Sequence, residues 1–358
     1  MNKGSRIPLI FSAVALGAVS QAESLTWIEP APQGANIRGA RLSGDGTTVV
    51  GAGSGAGIDY YAYIWTASGG TQVLAPVGSD TRALAFAVSE HGDRVSGTSV
   101  SDLYRSSIWD IGGGSRHIGN GGGPWRHSEV LASNADGSKL AGKLFDGIGD
   151  VNIPFVWTEE GGTRLLPTGD EPYGVYVQAM SADGRRIVGR GDGNAYIWDS
   201  ATSYRKVDSF TATDLSGDGR FVFGVDPNGN AVRWSDDRGL ENLGTIPGYY
   251  MVIRGASYSG STLLASATGG IGVGVHTAFW RPSTGWVFLS GYLADRGIST
   301  QGGRFTYPQS VSWDGNVVMG DGSRNGHWNA FVATVPEPSS AVMIGLGLAA
   351  LALLRRKR

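Results

Sequence analysis

The chain has 358 residues, of which 58 are glycine, about 16% against a typical 7%, and 11 are tryptophan. Val, Ile, Tyr, Phe and Trp recurring between glycines argue for short strands and against helices, and the lack of cysteine excludes disulfides, zinc–thiolate sites and thiol nucleophiles. The formal charge of −2 conceals an acidic middle: outside the first 22 residues and the last four, 23 Lys and Arg face 31 Asp and Glu, which argues against nucleic acid as a partner.

In chain order, Lys3 and Arg6 precede an apolar run from Ile7 to Val19, and Ser20-Gln21-Ala22 places small residues at −3 and −1 of a cleavage site. This pattern predicts a secretory signal peptide over residues 1–22, cut between Ala22 and Glu23, and an exported protein. The next segment, Ser24 to Glu29, has strand character and belongs to no repeat that follows.

Residues 23–335 read as one unit repeated. Its marker is a four-residue turn: Ser43-Gly44-Asp45-Gly46, Ser89-Glu90-His91-Gly92, Asn134-Ala135-Asp136-Gly137, Ser181-Ala182-Asp183-Gly184, Ser216-Gly217-Asp218-Gly219, Ser257-Tyr258-Ser259-Gly260 and Ser312-Trp313-Asp314-Gly315. The closing glycines lie 46, 45, 47, 35, 41 and 55 residues apart. Each turn precedes a short apolar stretch such as Val49-Val50-Gly51, then an aromatic strand ending at Trp65, Trp109, Trp157, Trp198, Trp234 or Trp280, with Ala333 in that place in the seventh unit. A fourth strand such as Gly70 to Leu74 closes most units. Four short strands per 40–50 residues predict an all-β fold, a β-propeller of seven four-stranded blades, with six or eight as alternatives because the sixth unit is degenerate. The seventh unit ends before its fourth strand, so Leu25 to Glu29 is expected to supply it and close the ring.

The succession Ser-x-Asp-Gly, Val-Val-Gly, Ala-Tyr-Ile-Trp, best seen at Ala62 to Trp65 and Ala195 to Trp198, resembles the HAF repeats of secreted bacterial proteins and, more loosely, the TolB-type propeller repeat. Those repeats carry no assigned chemistry.

At the C-terminus Val335-Pro336-Glu337-Pro338-Ser339-Ser340 leads into an uncharged stretch, residues 341–354, and a basic tail, Arg355-Arg356-Lys357-Arg358. Fourteen helical residues reach ~21 Å, short of a ~30 Å hydrocarbon core, while the basic tail favours the cytoplasmic side. The three-part ending resembles the PEP-CTERM sorting signal of Gram-negative bacteria. That resemblance implies an exosortase-type processing enzyme as partner, a short transmembrane helix over 341–354, residence in the inner membrane during sorting and then at the cell surface or outside the cell, and association with exopolysaccharide and biofilm.

Antiparallel order places the 1–2 and 3–4 turns of each blade on one face and the 2–3 and 4–1 connections on the other. Length variation falls on the second face: residues 51–61, 142–154, 265–277 and 290–309. Trp125, Tyr249, Tyr250 and Trp328 are the candidate ligand residues there, among further aromatic and polar neighbours Tyr60, Tyr61, Arg126, His127, Tyr173, Tyr176 and Tyr307, since aromatic rings beside polar groups suit sugars. The five histidines show no paired spacing, so no metal or cofactor is expected, and Asp146 to Asn152 lacks a full calcium-loop pattern. Asp59, Asp146, Asp150, Glu171 and Asp226 are available loop carboxylates, but no catalytic pair is assigned. The reading is a non-catalytic surface or matrix propeller that binds polysaccharide; the alternative is an extracellular propeller glycoside hydrolase or lyase.

Overall fold

The computed structural model describes residues 23–30, 36–55, 58–122, 124–146, 151–171, 174–270 and 272–336. The signal peptide with Ala22, the stretch from Glu337 through 341–354 to Arg358, and Tyr173 and Asp150 lie outside the described residues. No helix among the described residues is long and apolar enough to cross a membrane.

Residues 23–335 form seven four-stranded antiparallel sheets, the blades of a β-propeller. Six blades use four consecutive strands. The seventh takes Arg304–Val311, Val317–Arg324 and His327–Thr334 from the end of the body and Ser24–Trp27 from its start. The pairing runs from Ser24 opposite Thr334 to Trp27 opposite Phe331, which closes the ring as expected. Trp27 is 5% exposed, stacks on Phe305 with centroids 5.6 Å apart, and meets the edge of Phe331 at 5.7 Å.

Each part of the repeat has a structural task. In the turn between the first two strands, Ser43 Oγ donates to Asp45 Oδ1 at 2.7 Å and accepts the Thr48 N–H at 2.9 Å, while Asp45 accepts the Thr47 N–H at 3.0 Å. The same triplet of bonds recurs at Ser181 and Asp183, Ser216 and Asp218, and Ser312 and Asp314. Where His91 replaces the aspartate, Ser89 donates to Asp93 instead. The glycine that ends each signature has positive φ, for example 76° at Gly46.

The seven turns are also joined to one another. Main-chain hydrogen bonds of 2.7–3.0 Å run from Trp313 to Gly44, Asp45 to Glu90, Glu90 to Ala135, Ala135 to Ala182, Ala182 to Gly217, Asp218 to Tyr258 and Tyr258 to Trp313, each from a donor N–H to the carbonyl of the next turn. They make a closed hoop on the turn face. Trp313 lies over Gly44 and Tyr258 over Gly217, where a β-carbon would strike the rings.

The glycine of Val-Val-Gly has a different reason. A β-carbon on Gly51, Gly97, Gly142 or Gly224 would overlap a carbonyl of the inner strand, that of Arg38, Leu84, Glu129 or Thr211. Opposite this position, which is Ala265 in the sixth blade, the first strand of each blade carries a β-bulge, with the register slipping between Gly39 and Arg41, Ala85 and Ala87, Val130 and Ala132, Val177 and Ala179, Ala212 and Asp214, Ile253 and Gly255, and Pro308 and Ser310. The residues set free are Ala40, Phe86, Leu131, Gln178, Thr213, Arg254 and Gln309. A bulge re-aims a side chain, and here it does so on the strand nearest the propeller axis.

Two expectations are corrected. The long connections between second and third strands are mostly paired: Thr48–Gly55 and Ile58–Thr66 run into the stretch read as loop, as do Leu263–Gly269 and Val275–Arg281. Glycine-rich backbone that must satisfy its N–H and C=O groups does so here by extending the hairpin. The stretch 290–309 begins in a short helix, Leu289–Ala294, and ends in the strand Arg304–Val311, leaving 295–303 as the connection; Leu289 and Leu293, one turn apart, are both fully buried.

Candidate functional site

All seven inner strands line a narrow cavity of 80 Å³ on the axis near the turn face, where Arg41, Asp214 and Trp313 meet small residues of the other blades. Beside blades 1, 2, 3 and 7 lies a larger cavity of 770 Å³, toward the face of the 2–3 and 4–1 connections. Four of the bulge residues, Ala40, Phe86, Leu131 and Gln309, line it. The bulges therefore set the composition of the channel wall.

Trp328 anchors the aromatic side. It opens the third strand of blade 7, its N–H donates to Asn36 Oδ1 at 3.1 Å, the Arg38 guanidinium lies 5.3 Å from its ring, and Tyr307 lies 5.6 Å away. Tyr60 and Tyr307, 50% and 43% exposed, border the same cavity.

Asp321 forms its polar floor. It is almost fully buried on the second strand of blade 7 and accepts the Gly39 N–H at 2.7 Å and Gln309 Nε2 at 3.1 Å. Burial pushes its pKa up to about 7, against the stabilising effects of the Gly39 N–H, Gln309 and Arg38. The same burial lifts the Tyr63 hydroxyl well above its ordinary value, with Asp321 and Tyr61 adding to the shift. Asp214, at the narrow end, is raised by burial to about 6, opposed by Arg41 and by the N–H groups of Leu215 and Ala256.

The four candidate residues lie on the connection face by strand order, and the structure separates them. Trp328 lines the cavity. Trp125 is half-buried against the cluster that contains Phe155 and Trp157. Tyr249 meets the edges of His276 and Phe288 at 5.9 and 5.2 Å, and Tyr250, 46% exposed, lies over Gly229. Tyr61 is a core residue at 6% exposure. Among the loop carboxylates, Glu171 accepts from the Tyr196 hydroxyl and pairs with Lys206 at 2.9 Å, and Asp226 caps its own hairpin through Asn228 and Asn230; neither reaches the cavity.

Sequence reading missed Arg38, Arg41, Gln309, Asp214 and Asp321. Asp321 had a usable signal, since it follows Val-Val-Met-Gly at a position where the other units have Ala52, Thr98, Lys143, Arg190, Val225 and Ser266. It also missed a Ser–His–Asp line in blade 2: Ser107 Oγ is 3.0 Å from His117 Nδ1, and His117 Nε2 is 3.6 Å from Asp80. Ser107 is fully buried and donates to the Arg105 carbonyl at 2.8 Å, so its hydroxyl cannot meet a substrate.

Residues 334–358 match the PEP-CTERM protein-sorting motif. The motif implies an exported protein, sorted through the membrane to the cell surface and processed by an exosortase-type enzyme. No curated protein matches the chain. Among solved structures, the Myceliophteria thermophila Cps50 (Swd1) β-propeller domain is similar over 87% of this chain and 100% of that chain, with a TM-score of 0.56 and 14% identity. At that identity the likeness establishes the propeller and nothing about its ligand. With 766 solved chains matching, the fold alone selects no function.

Proposed function

We propose that this exported propeller is a non-catalytic carbohydrate-binding protein of the cell surface or extracellular matrix, associated with exopolysaccharide and biofilm, that takes a sugar chain at the mouth of its axial channel. The supporting observation is the cavity itself. Trp328, Tyr307 and Tyr60 offer ring faces to sugar C–H groups, while Asn36, Arg38 and Gln309 offer hydrogen bonds to hydroxyls. Hydrolysis of a glycosidic bond needs two carboxyl groups facing across it, and among the described residues that line this cavity Asp321 is the sole carboxylate, which favours binding over cleavage. The PEP-CTERM match supports the route to the surface, with the sequence-based signal peptide over 1–22, the span over 341–354 and the HAF-type repeat identity part of the same reading.

A glycan array probed with the purified protein, run beside a reducing-sugar release assay on the glycans that bind, tests the function. Retention without release is expected; release of reducing ends would establish the enzyme alternative. Intact mass of the surface fraction tests the route, with a mature species beginning at Glu23 and lacking Arg355 to Arg358 expected. A surface species that keeps Arg358 would mean that the ending serves only as an anchor.

A further inference from the structure

We infer that the channel selects an anionic sugar residue, holding its negative group at Arg38 and Arg41 while its ring lies against the aromatic and apolar sides of the mouth. This inference rests on the carbohydrate-binding reading and names the class of sugar.

Charge distribution is the first ground. The body is acidic overall, and on the turn face several arginines are neutralised: Arg94 pairs with Asp110 at 2.6 Å, Arg186 with Asp199 at 2.6 Å and Asp236 at 2.9 Å, and Arg205 with Asp236 at 2.5 Å. Around the axis the pattern reverses. Arg38 and Arg41 both line the 770 Å³ cavity, and Arg41 also reaches the narrow end, yet among the described residues neither makes an ion pair. Unpaired guanidiniums in a cleft with low-dielectric walls focus a positive potential into it.

The facing groups offset this charge only in part. Asp321 and Asp214 are the carboxylates that act on Arg38 and Arg41; both are buried and engaged by main-chain N–H groups, and burial raises both, Asp214 to about 6 and Asp321 to about 7, so that Asp321 is only partly ionised at neutral pH. Glu129 is neutralised by Lys143 at 3.0 Å.

Shape and chemistry complete the case. A guanidinium presents a planar fork that matches a carboxylate with two parallel hydrogen bonds, and it serves sulfate less specifically. Beside the arginines, Leu84, Phe86 and Leu131 give the cavity an apolar wall. A ring with one charged edge and C–H faces fits between them.

Titration calorimetry on the full-length protein with oligogalacturonate, its carboxyl-reduced neutral counterpart and a sulfated oligosaccharide of equal length tests this. At low salt the uronate should bind at least 10-fold more tightly than the neutral sugar, and the advantage should shrink as salt rises. Arg38→Gln and Arg41→Gln should each remove most of that advantage, lowering uronate affinity far more than neutral-sugar affinity, Arg38→Lys should keep part of it, and Arg185→Gln on the turn face should keep all of it. Unchanged melting temperatures certify the folding of the variants. A sulfated sugar that binds as tightly as the uronate would support the anion site and reassign its ligand. Equal binding of charged and neutral sugars would overturn the anion inference while leaving carbohydrate binding in place, and binding of none would overturn both.

Discussion

Replacing Asp321 by Asn should stabilise the protein, and should do so only above a definite pH. The carboxyl sits at about 7 in the fold against ~3.9 in an unfolded chain, so the folded state holds this proton more tightly. Stability from the protonated group is complete below pH ~4 and is lost as pH rises to about 7, beyond which the loss is constant. Three units at ~1.4 kcal/mol each set a ceiling of ~4 kcal/mol. Asparagine can still accept the Gly39 N–H, but it must re-form the contact with Gln309 at a cost of about 1 kcal/mol, leaving ~2–3 kcal/mol in favour of the variant at pH 8. For a body of this size that is a rise of roughly 4 °C in melting temperature. Asp214 titrates in the same direction toward about 6, and His117, whose pKa burial lowers, in the opposite direction; both are common to the two proteins and cancel in the difference. Calorimetric melting of parent and variant from pH 4 to 8.5 provides the test. A difference that stays flat across that range would refute a buried, proton-holding carboxyl at the channel floor.

Trp27→Ala should cost ~3–5 kcal/mol, read by denaturant unfolding, because the ring is buried between Phe305 and Phe331 on the strand that closes the circle. Ser312→Ala should cost ~1–3 kcal/mol in the same assay, since it strands the buried Val317 N–H, and it should leave glycan binding unchanged. Trp328→Ala should weaken glycan retention several-fold with little effect on melting temperature. Trp125→Ala should do the opposite, because that ring packs against Phe155 and Trp157 rather than into the cavity.

Architecture was legible because it is written seven times. Turn chemistry is local: a serine, an aspartate and a glycine within four residues determine their own hydrogen bonds, and their recurrence counts the blades. Closure was legible from a deficit, a seventh unit lacking a strand and an unassigned strand at Ser24 to Glu29. The channel was not legible, for a different physical reason. Four of the bulged inner-strand residues line it, and each bulge is defined by its pairing with a neighbouring strand, so nothing within a single window marks Phe86 or Gln309 as lining the channel. Arg38 and Asp321 lie 283 positions apart and meet only because the circle closes between blades 7 and 1. The loop aromatics were misleading because an aromatic residue beside glycines reads the same whether it meets solvent, as Tyr60 does, or packs into its own blade, as Trp125 does.

The direction in which the circle is closed has a mechanical consequence. The final strand of the body, His327–Thr334, is flanked on one side by Val317–Arg324 and on the other by Ser24–Trp27, so the chain leaves toward the sorting segment from an interior strand. It leaves on the turn face, where the Val335 N–H donates to the Asn316 carbonyl at 2.6 Å and Arg281 holds both the Val335 and Gly315 carbonyls. Tension applied through residues beyond Val335 therefore has to shear two ladders of hydrogen bonds at once. Had the C-terminal segment supplied the outermost strand, the same pull would peel a single ladder one bond at a time. A propeller latched by its N-terminus is the version that resists being drawn out by its tail.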